Sequence, residues 1–234
     1  MQKKIDGVRI IGVDADDTLW VNETYYREAE DAFAELLTPY ETQNQIGQEL
    51  FKLEMKNLPI YGYGVKGFVL SMVEMALVLS NNNVSNASIA KILQLGKDIL
   101  NKPVELLDGV ETVLETLAKN YKLILVTKGD LLDQESKLER SNLAHYFHHV
   151  EILSDKKTAN YSSLLQRLDI QAQEFLMIGN SLKSDILPLV ALNAHAIHVP
   201  FHTTWLHEQV SDEDCKDYDY STVNSLVEVL KFLG

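Results

Sequence analysis

Short runs of β-branched and aliphatic residues recur at 8–13, 123–126, 150–153, 175–178 and 196–199. Each has the length and apolar density of a strand buried on both faces of a parallel sheet. Between these runs the period of the apolar positions changes. Val110, Val113, Leu114 and Leu117, and later Tyr161, Leu164, Leu165 and Leu168, follow an i, i+3, i+4, i+7 spacing, which predicts amphipathic helices. Strands alternating with helices predict an α/β fold built on a central, mostly parallel sheet.

From residue 22 to 101 the strand pattern disappears. Ala29, Ala32, Phe33 and Leu36, then Ile46, Leu50 and Leu53, then Val69, Met72, Val73 and Ala76, then Ile89, Ile92 and Ile99 outline four amphipathic helices. Thr38-Pro39, Leu58-Pro59, the glycine-rich segment 61–67 and the asparagine cluster 81–83 are expected to break them apart. The chain thus reads as an α/β core at 1–20 and 104–234, interrupted by an all-helical insertion at 21–103.

A chain of 234 residues with an apolar fraction of 46% has enough material for a real core. Lys and Arg total 21 against 34 Asp and Glu, a net charge of −13 that argues against nucleic acid or an anionic membrane as a standing partner. Any phosphate must therefore be held by a local cluster of donors. Cys215 is the sole cysteine, and the N-terminal residues lack the apolar stretch and cleavage site of a secretory signal. The longest apolar stretch, 67–80, contains Glu74 and is too short to span a bilayer. A cytoplasmic location is the expectation.

Candidate chemistry gathers where the strands are expected to end, which in open α/β sheets is where ligands sit. Asp14 and Asp16, followed by Thr18, come directly after the first run. Two acids in one turn repel each other, a cost that a divalent cation offsets. Thr127-Lys128-Gly129 follows the second run and offers a hydroxyl and turn N–H groups for phosphate oxygens. Lys156, with Lys157 beside it, follows the third, and Gly179-Asn180-Ser181-Leu182-Lys183-Ser184-Asp185 follows the fourth.

In this order the four patches resemble the haloacid dehalogenase superfamily of hydrolases, whose members carry Asp-x-Asp-x-Thr, a Ser or Thr, a Lys and an acidic Gly-Asp motif at successive strand ends. The resemblance covers nearly the whole chain. It implies a Rossmann-like three-layer core, a helical cap near the site, and Mg²⁺ as cofactor. It also selects Lys156 over Lys157, because the family pattern Ser-Asp-Lys-x-x-x-x-Tyr places the lysine five residues before the aromatic, here Tyr161.

The residue types suit the implied reaction. Asp14 can attack phosphorus and form an acyl-phosphate, and Asp16 can protonate the leaving group and then deprotonate water. Asp14, the backbone carbonyl of Asp16 and an oxygen from Asn180 or Asp185 would make a partial Mg²⁺ shell. Thr127, Lys128, Gly129 and Lys156 would hold the phosphoryl group. The expected substrate is a small phosphorylated metabolite.

Two positions depart from the pattern. Asn180 stands where most relatives carry Asp, and Asp17 where glycine is common. An EF-hand reading of the acidic turn fails, since Leu19 and Tyr25 occupy the sixth and twelfth positions in place of Gly and Glu. The histidines lack zinc-ligand spacing. Tyr61, Tyr63 and Lys66 are candidates to face a substrate. The rival functions are a phosphomutase, a metal-independent dehalogenase of the same fold, and a non-catalytic binding protein.

Overall fold

In the computed structural model, which describes residues 4–216 and 218–233, the chain forms two compact units. The first takes the chain up to Glu23, Val104–Lys128 and Ser136 onward; the second takes Thr24–Pro103 together with Gly129–Glu135. The sequence boundaries placed 129–135 in the core. The short segment groups instead with the helices, where Asp130 receives the Lys66 ammonium at 2.9 Å on both carboxylate oxygens.

The first unit is built on six strands: β1 (Ile10–Val13), β2 (Lys122–Lys128), β3 (His149–Leu153), β4 (Phe175–Gly179), β5 (His195–His198) and β6 (Ser221–Thr222). They lie in the order β3-β2-β1-β4-β5-β6, and every neighbouring pair is parallel. This is a Rossmann-like order. The winding reverses direction at β1, so a crevice opens beyond the carboxyl ends of β1 and β4.

Strand periodicity divides the core between the two faces of the sheet. Ile11, Val13, Leu123, Leu125, Leu176 and Ile178 pack on one side against Val110, Val113, Leu114 and Leu117 of a helix at Val110–Ala118. Ile10, Ile124, Val126, Phe175 and Met177 pack on the other against Tyr161, Leu164 and Leu165 of a helix at Thr158–Leu168. Burial on both faces is why these strands read as unbroken apolar runs. With β1 wholly buried, the polar residue that follows it is anchored by the sheet itself: the Asp14 N–H continues the ladder to the Ile178 carbonyl at 2.9 Å.

The second unit contains the four expected helices, α1 (Glu23–Leu36), α2 (Gln43–Tyr61), α3 (Val65–Leu79) and α4 (Asn86–Asn101). Phe33, Leu37, Ile46, Leu50, Met72 and Ile92 form its own core. Leu58-Pro59 does not break α2 as expected. Pro59 lies in the last turn, so the helix forgoes only the bond its N–H would have made to the Met55 carbonyl, and it closes at Gly62, whose φ of 72° and N–H bond to the Leu58 carbonyl at 2.9 Å terminate it. No helix among the described residues is long and apolar enough to cross a membrane.

Two elements carry no apolar signature. One is β6, only two residues long. The other is the helix at Leu131–Ser141, which exposes Leu131 and Leu132 and buries Leu138 beside the polar Asp133, Gln134 and Ser141.

Candidate active site

Because the strands are all parallel, the residues that follow β1, β2, β3 and β4 emerge on one edge of the sheet. Asp14 comes directly after β1 and is buried. The Lys156 ammonium, also buried, donates to Asp14 Oδ1 and, at 2.7 Å, to Asp185 Oδ1. The two carboxylates therefore converge within one hydrogen bond of the same cation. Lys157 is exposed and pairs with Asp155 at 2.7 Å.

The sequence beyond β4 folds so as to present Asp185. A Cβ on Gly179 would overlap the Asp185 carboxyl group, so glycine is what lets that group approach the strand. Asp185 Oδ2 accepts the Ser181 N–H at 3.0 Å across a π-helical turn at Leu182–Ile186. Asn180 is drawn in by Thr18, whose hydroxyl lies 3.1 Å from Asp14 Oδ2 and 3.4 Å from Asn180 Oδ1. One hydroxyl proton serves one acceptor, so the shorter contact to Asp14 leaves Asn180 Oδ1 with acceptor capacity. The Asn180 carbonyl accepts from His198 Nε2 at 3.0 Å, and burial lowers the His198 pKa against the pull of this bond toward the protonated ring.

The electrostatics of this cluster favour a bound cation. Burial, reinforced by the nearby Asp185 and opposed by Lys156, raises Asp14 from 3.8 to about 7. For Lys156, burial acts to lower the pKa, but Asp14 and Asp185 overcome it and hold the ammonium well above its ordinary value. Burial keeps the neighbouring Tyr161 phenol neutral, and among the described residues its hydroxyl has no hydrogen-bond partner. With Asp14 ionised, the two carboxylates against one ammonium would carry a net charge of −1, which a poorly solvated pocket resists. A divalent cation would return Asp14 to its ionised form. The oxygens of Asp14, Asp185 and Asn180 and the Asp16 carbonyl are hard donors of the kind Mg²⁺ prefers. Among the described residues no three His, Cys, Asp or Glu side chains form a metal-holding group, so an amide or backbone oxygen must complete any such shell.

Asp16 occupies a different environment. Its carboxylate accepts from Trp20 Nε1 at 2.7 Å and from Lys137 Nζ at 2.6 and 2.8 Å. With its side chain engaged there, its contribution to a metal shell is confined to the backbone carbonyl. Next to it, Asp17 has φ 60°, which explains the usual glycine at this position. Asp tolerates that backbone and adds a function glycine lacks, accepting the N–H groups of Asn22 at 2.8 Å and Glu23 at 3.0 Å at the start of α1. Burial and the adjacent Asp16 push Asp17 up to about 8 despite those donors.

The residues after β2 separate. Thr127 is buried at the carboxyl end of the strand beside β1. Lys128 reaches Ser184 Oγ at 2.8 Å and pairs with Glu208, which also accepts from the hydroxyls of Ser181 and, at 2.6 Å, Ser184. Burial acts to raise Glu208, but Lys128 and the two hydroxyls bring it down to about 2, so it is ionised at neutral pH. Lys128 therefore braces the segment carrying Asp185, where the sequence suggested a phosphate ligand. Gly129, with φ 141°, belongs to the helical unit. So does Lys66, which is held by Asp130.

Sequence reasoning missed Lys137 and Glu208. Both sit in polar surroundings far along the chain from their partners, and only the tertiary fold brings them in. No spacing rule could have found them.

A family model of haloacid dehalogenase-like hydrolases matches residues 8–193. Among solved structures, a haloacid dehalogenase-like family hydrolase from Xanthomonas campestris is 34% identical, with 94% of this chain and 91% of that chain covered and a TM-score of 0.81. A predicted phosphoglycolate phosphatase from Haemophilus somnus is 16% identical, covering 97% and 98% of the two chains with a TM-score of 0.66. A 2-haloacid dehalogenase from Pseudomonas syringae is 18% identical, covering 96% and 97% with a TM-score of 0.62. The last two share the fold at identities too low to carry an activity. Among curated proteins none matches.

Proposed function

This chain belongs to the haloacid dehalogenase-like hydrolase family, and from that premise we propose that it is a Mg²⁺-dependent phosphatase of a small phosphomonoester, acting through an aspartyl-phosphate on Asp14. One observation carries the reading. Asp14 and Asp16, two residues apart, are held by different ammonium groups, Lys156 and Lys137. The two environments differ, and a cation bound at Asp14 would ionise the nucleophile while leaving the Asp16 carboxylate, off the metal, to exchange protons. Displacement of halide from carbon needs no second acid, and Asp16 therefore favours phosphoryl transfer over dehalogenation.

In the first half of the reaction an Asp14 carboxylate oxygen bonds to phosphorus as the bond to the leaving oxygen breaks, and Asp16 gives that oxygen a proton. In the second, water gives its proton to Asp16 and attacks the same phosphorus, releasing inorganic phosphate and restoring the Asp14 carboxylate. Lys156 keeps Asp14 aimed and offsets charge throughout. When bound by Asp14, the Asp16 carbonyl and oxygens of Asn180 or Asp185, Mg²⁺ would neutralise charge on the phosphoryl oxygens. The acidic surface, with a net charge of −13, fits a small phosphorylated metabolite better than nucleic acid.

Hydrolysis of a chromogenic aryl phosphate, abolished by EDTA and restored by Mg²⁺, is the expected result. EDTA-insensitive consumption of a 2-haloacid would replace this reading with dehalogenation, and transfer of phosphate within a sugar phosphate would replace it with a mutase. A panel of phosphates hydrolysed no faster than background would leave a binding protein.

Asn180 makes a separate prediction. Asn180→Asp adds a carboxylate beside Asp14 and should tighten Mg²⁺ binding roughly tenfold, about 1.4 kcal/mol. Isothermal titration with Mg²⁺ checks this, and equal or weaker binding by the variant contradicts it.

A further inference from the structure

Lys137 has no place in the family pattern drawn from the sequence, yet it makes a two-pronged contact with the side chain assigned to proton transfer. Its ammonium lies 2.6 Å from Asp16 Oδ1 and 2.8 Å from Oδ2, and a third contact at 3.2 Å reaches Asn22 Oδ1. From the other side, Trp20 Nε1 donates to Asp16 Oδ1 at 2.7 Å, and Trp20 is fully buried. The side chains of Lys137 and Asp16 are 12% and 22% exposed, sheltered enough for the pair to be weakly screened. Trp20 is immobilised by the core, and Lys137 rides on the helix at Leu131–Ser141. Asp16 is thereby gripped between two elements.

We infer that Lys137 is a positioning residue for Asp16: it fixes the carboxylate rotamer from which Asp16 exchanges protons with the leaving oxygen and the attacking water. The inference rests on the proposed phosphatase reading. A carboxylate on a short turn has two rotatable bonds, and a misaimed acid–base group loses much of its rate advantage. Lys137 is not required to neutralise Asp14, since Lys156 does that. Its effect on turnover should therefore pass through Asp16 rather than Asp14.

The test is a double-mutant cycle on the full chain with an aryl phosphate and saturating Mg²⁺. Lys137→Met is expected to lower kcat about 10- to 100-fold, a fraction of the effect of a whole acid–base group, with KM unchanged. In an Asp16→Asn background it should lower kcat no further. Lys137→Arg, which can still donate to both oxygens, should recover part of the loss. Lys137→Gln, smaller in its disturbance of the helix, serves if the Met variant does not fold, and the same non-additivity is expected of it. Wild-type kcat in the Lys137 variants, or an equal fold-loss with and without the Asp16 carboxylate, overturns the inference while leaving the phosphatase reading intact. A wild-type protein inactive on every phosphate overturns both.

Discussion

Asp14→Asn should lower phosphate-ester turnover by roughly ten-thousand-fold or more, the scale on which loss of a covalent nucleophile acts, while the protein folds as before. The amide is nearly isosteric with the carboxylate and can still accept from Lys156, but it is too weak a nucleophile to form an acyl-phosphate. Folding should survive because Lys156 keeps its Asp185 partner at 2.7 Å. Loss of an ion that burial already disfavours, as the rise of Asp14 to about 7 shows, is also no great cost. Steady-state hydrolysis and a thermal melt on the same preparation check both halves. Residual turnover within tenfold of wild type would remove Asp14 from the chemistry.

Lys156→Met should be the most destabilising substitution in the site. It leaves Asp14 and Asp185 buried, facing each other, without the cation that now satisfies both. Removal of one partner from a buried ionic cluster costs about 3–5 kcal/mol. The sign of the pH dependence follows from Asp14, already raised from 3.8 to about 7 with Lys156 present and raised further without it. A carboxyl group whose folded pKa lies above its unfolded one loses stability as pH climbs through that interval. The deficit of the variant should accordingly be smallest near pH 5, where Asp14 holds its proton with or without Lys156, and should grow as pH rises past about 7, where Asp14 ionises beside Lys156 in the wild type but not in the variant. Added Mg²⁺ should recover part of it, because the same oxygens gain a counter-charge. Lys157→Ala, which removes an exposed pair, should change neither stability nor turnover. Urea denaturation at the two pH values distinguishes the pair, and equal effects of the two substitutions would contradict the geometry.

What could be read from the chain, and what could not, follows from where the information resides. The central strands β1, β2 and β4 were legible because burial on both faces makes each a continuous apolar run, β3 and β5 were legible through shorter apolar stretches although they are only partly buried, and Asp14 was legible because it ends the first strand. The helical unit was legible through its apolar spacing. Pro59 misled, since a rule about helix interiors was applied to a last turn that ends at Gly62. The helix at Leu131–Ser141 was silent because Leu131 and Leu132 are exposed while Asp133, Gln134 and Ser141 are buried, which leaves Leu138 as its one buried leucine, too little for a hydrophobic period to show. Lys137 lies on that same helix, so the partner of Asp16 was hidden with it. The pairing of Lys128 with Glu208 was not legible, because Glu208, a single acid on a short 3-10 turn at Leu206–Glu208, has no local signal. Asp17 was the reverse case: a visible departure whose reason, a positive φ and two N–H groups to accept, appears only in three dimensions.

The account turns on a covalent bond between Asp14 and phosphorus. Rapid acid quench of the enzyme during turnover of a ³²P-labelled phosphomonoester, followed by peptide mapping, measures this most directly. The expected result is label on the peptide containing Asp14, released by hydroxylamine and absent from Asp14→Asn. Label on another residue, or steady hydrolysis with no trapped phosphoenzyme in wild type or in the slowed Asp16→Asn variant, would contradict it.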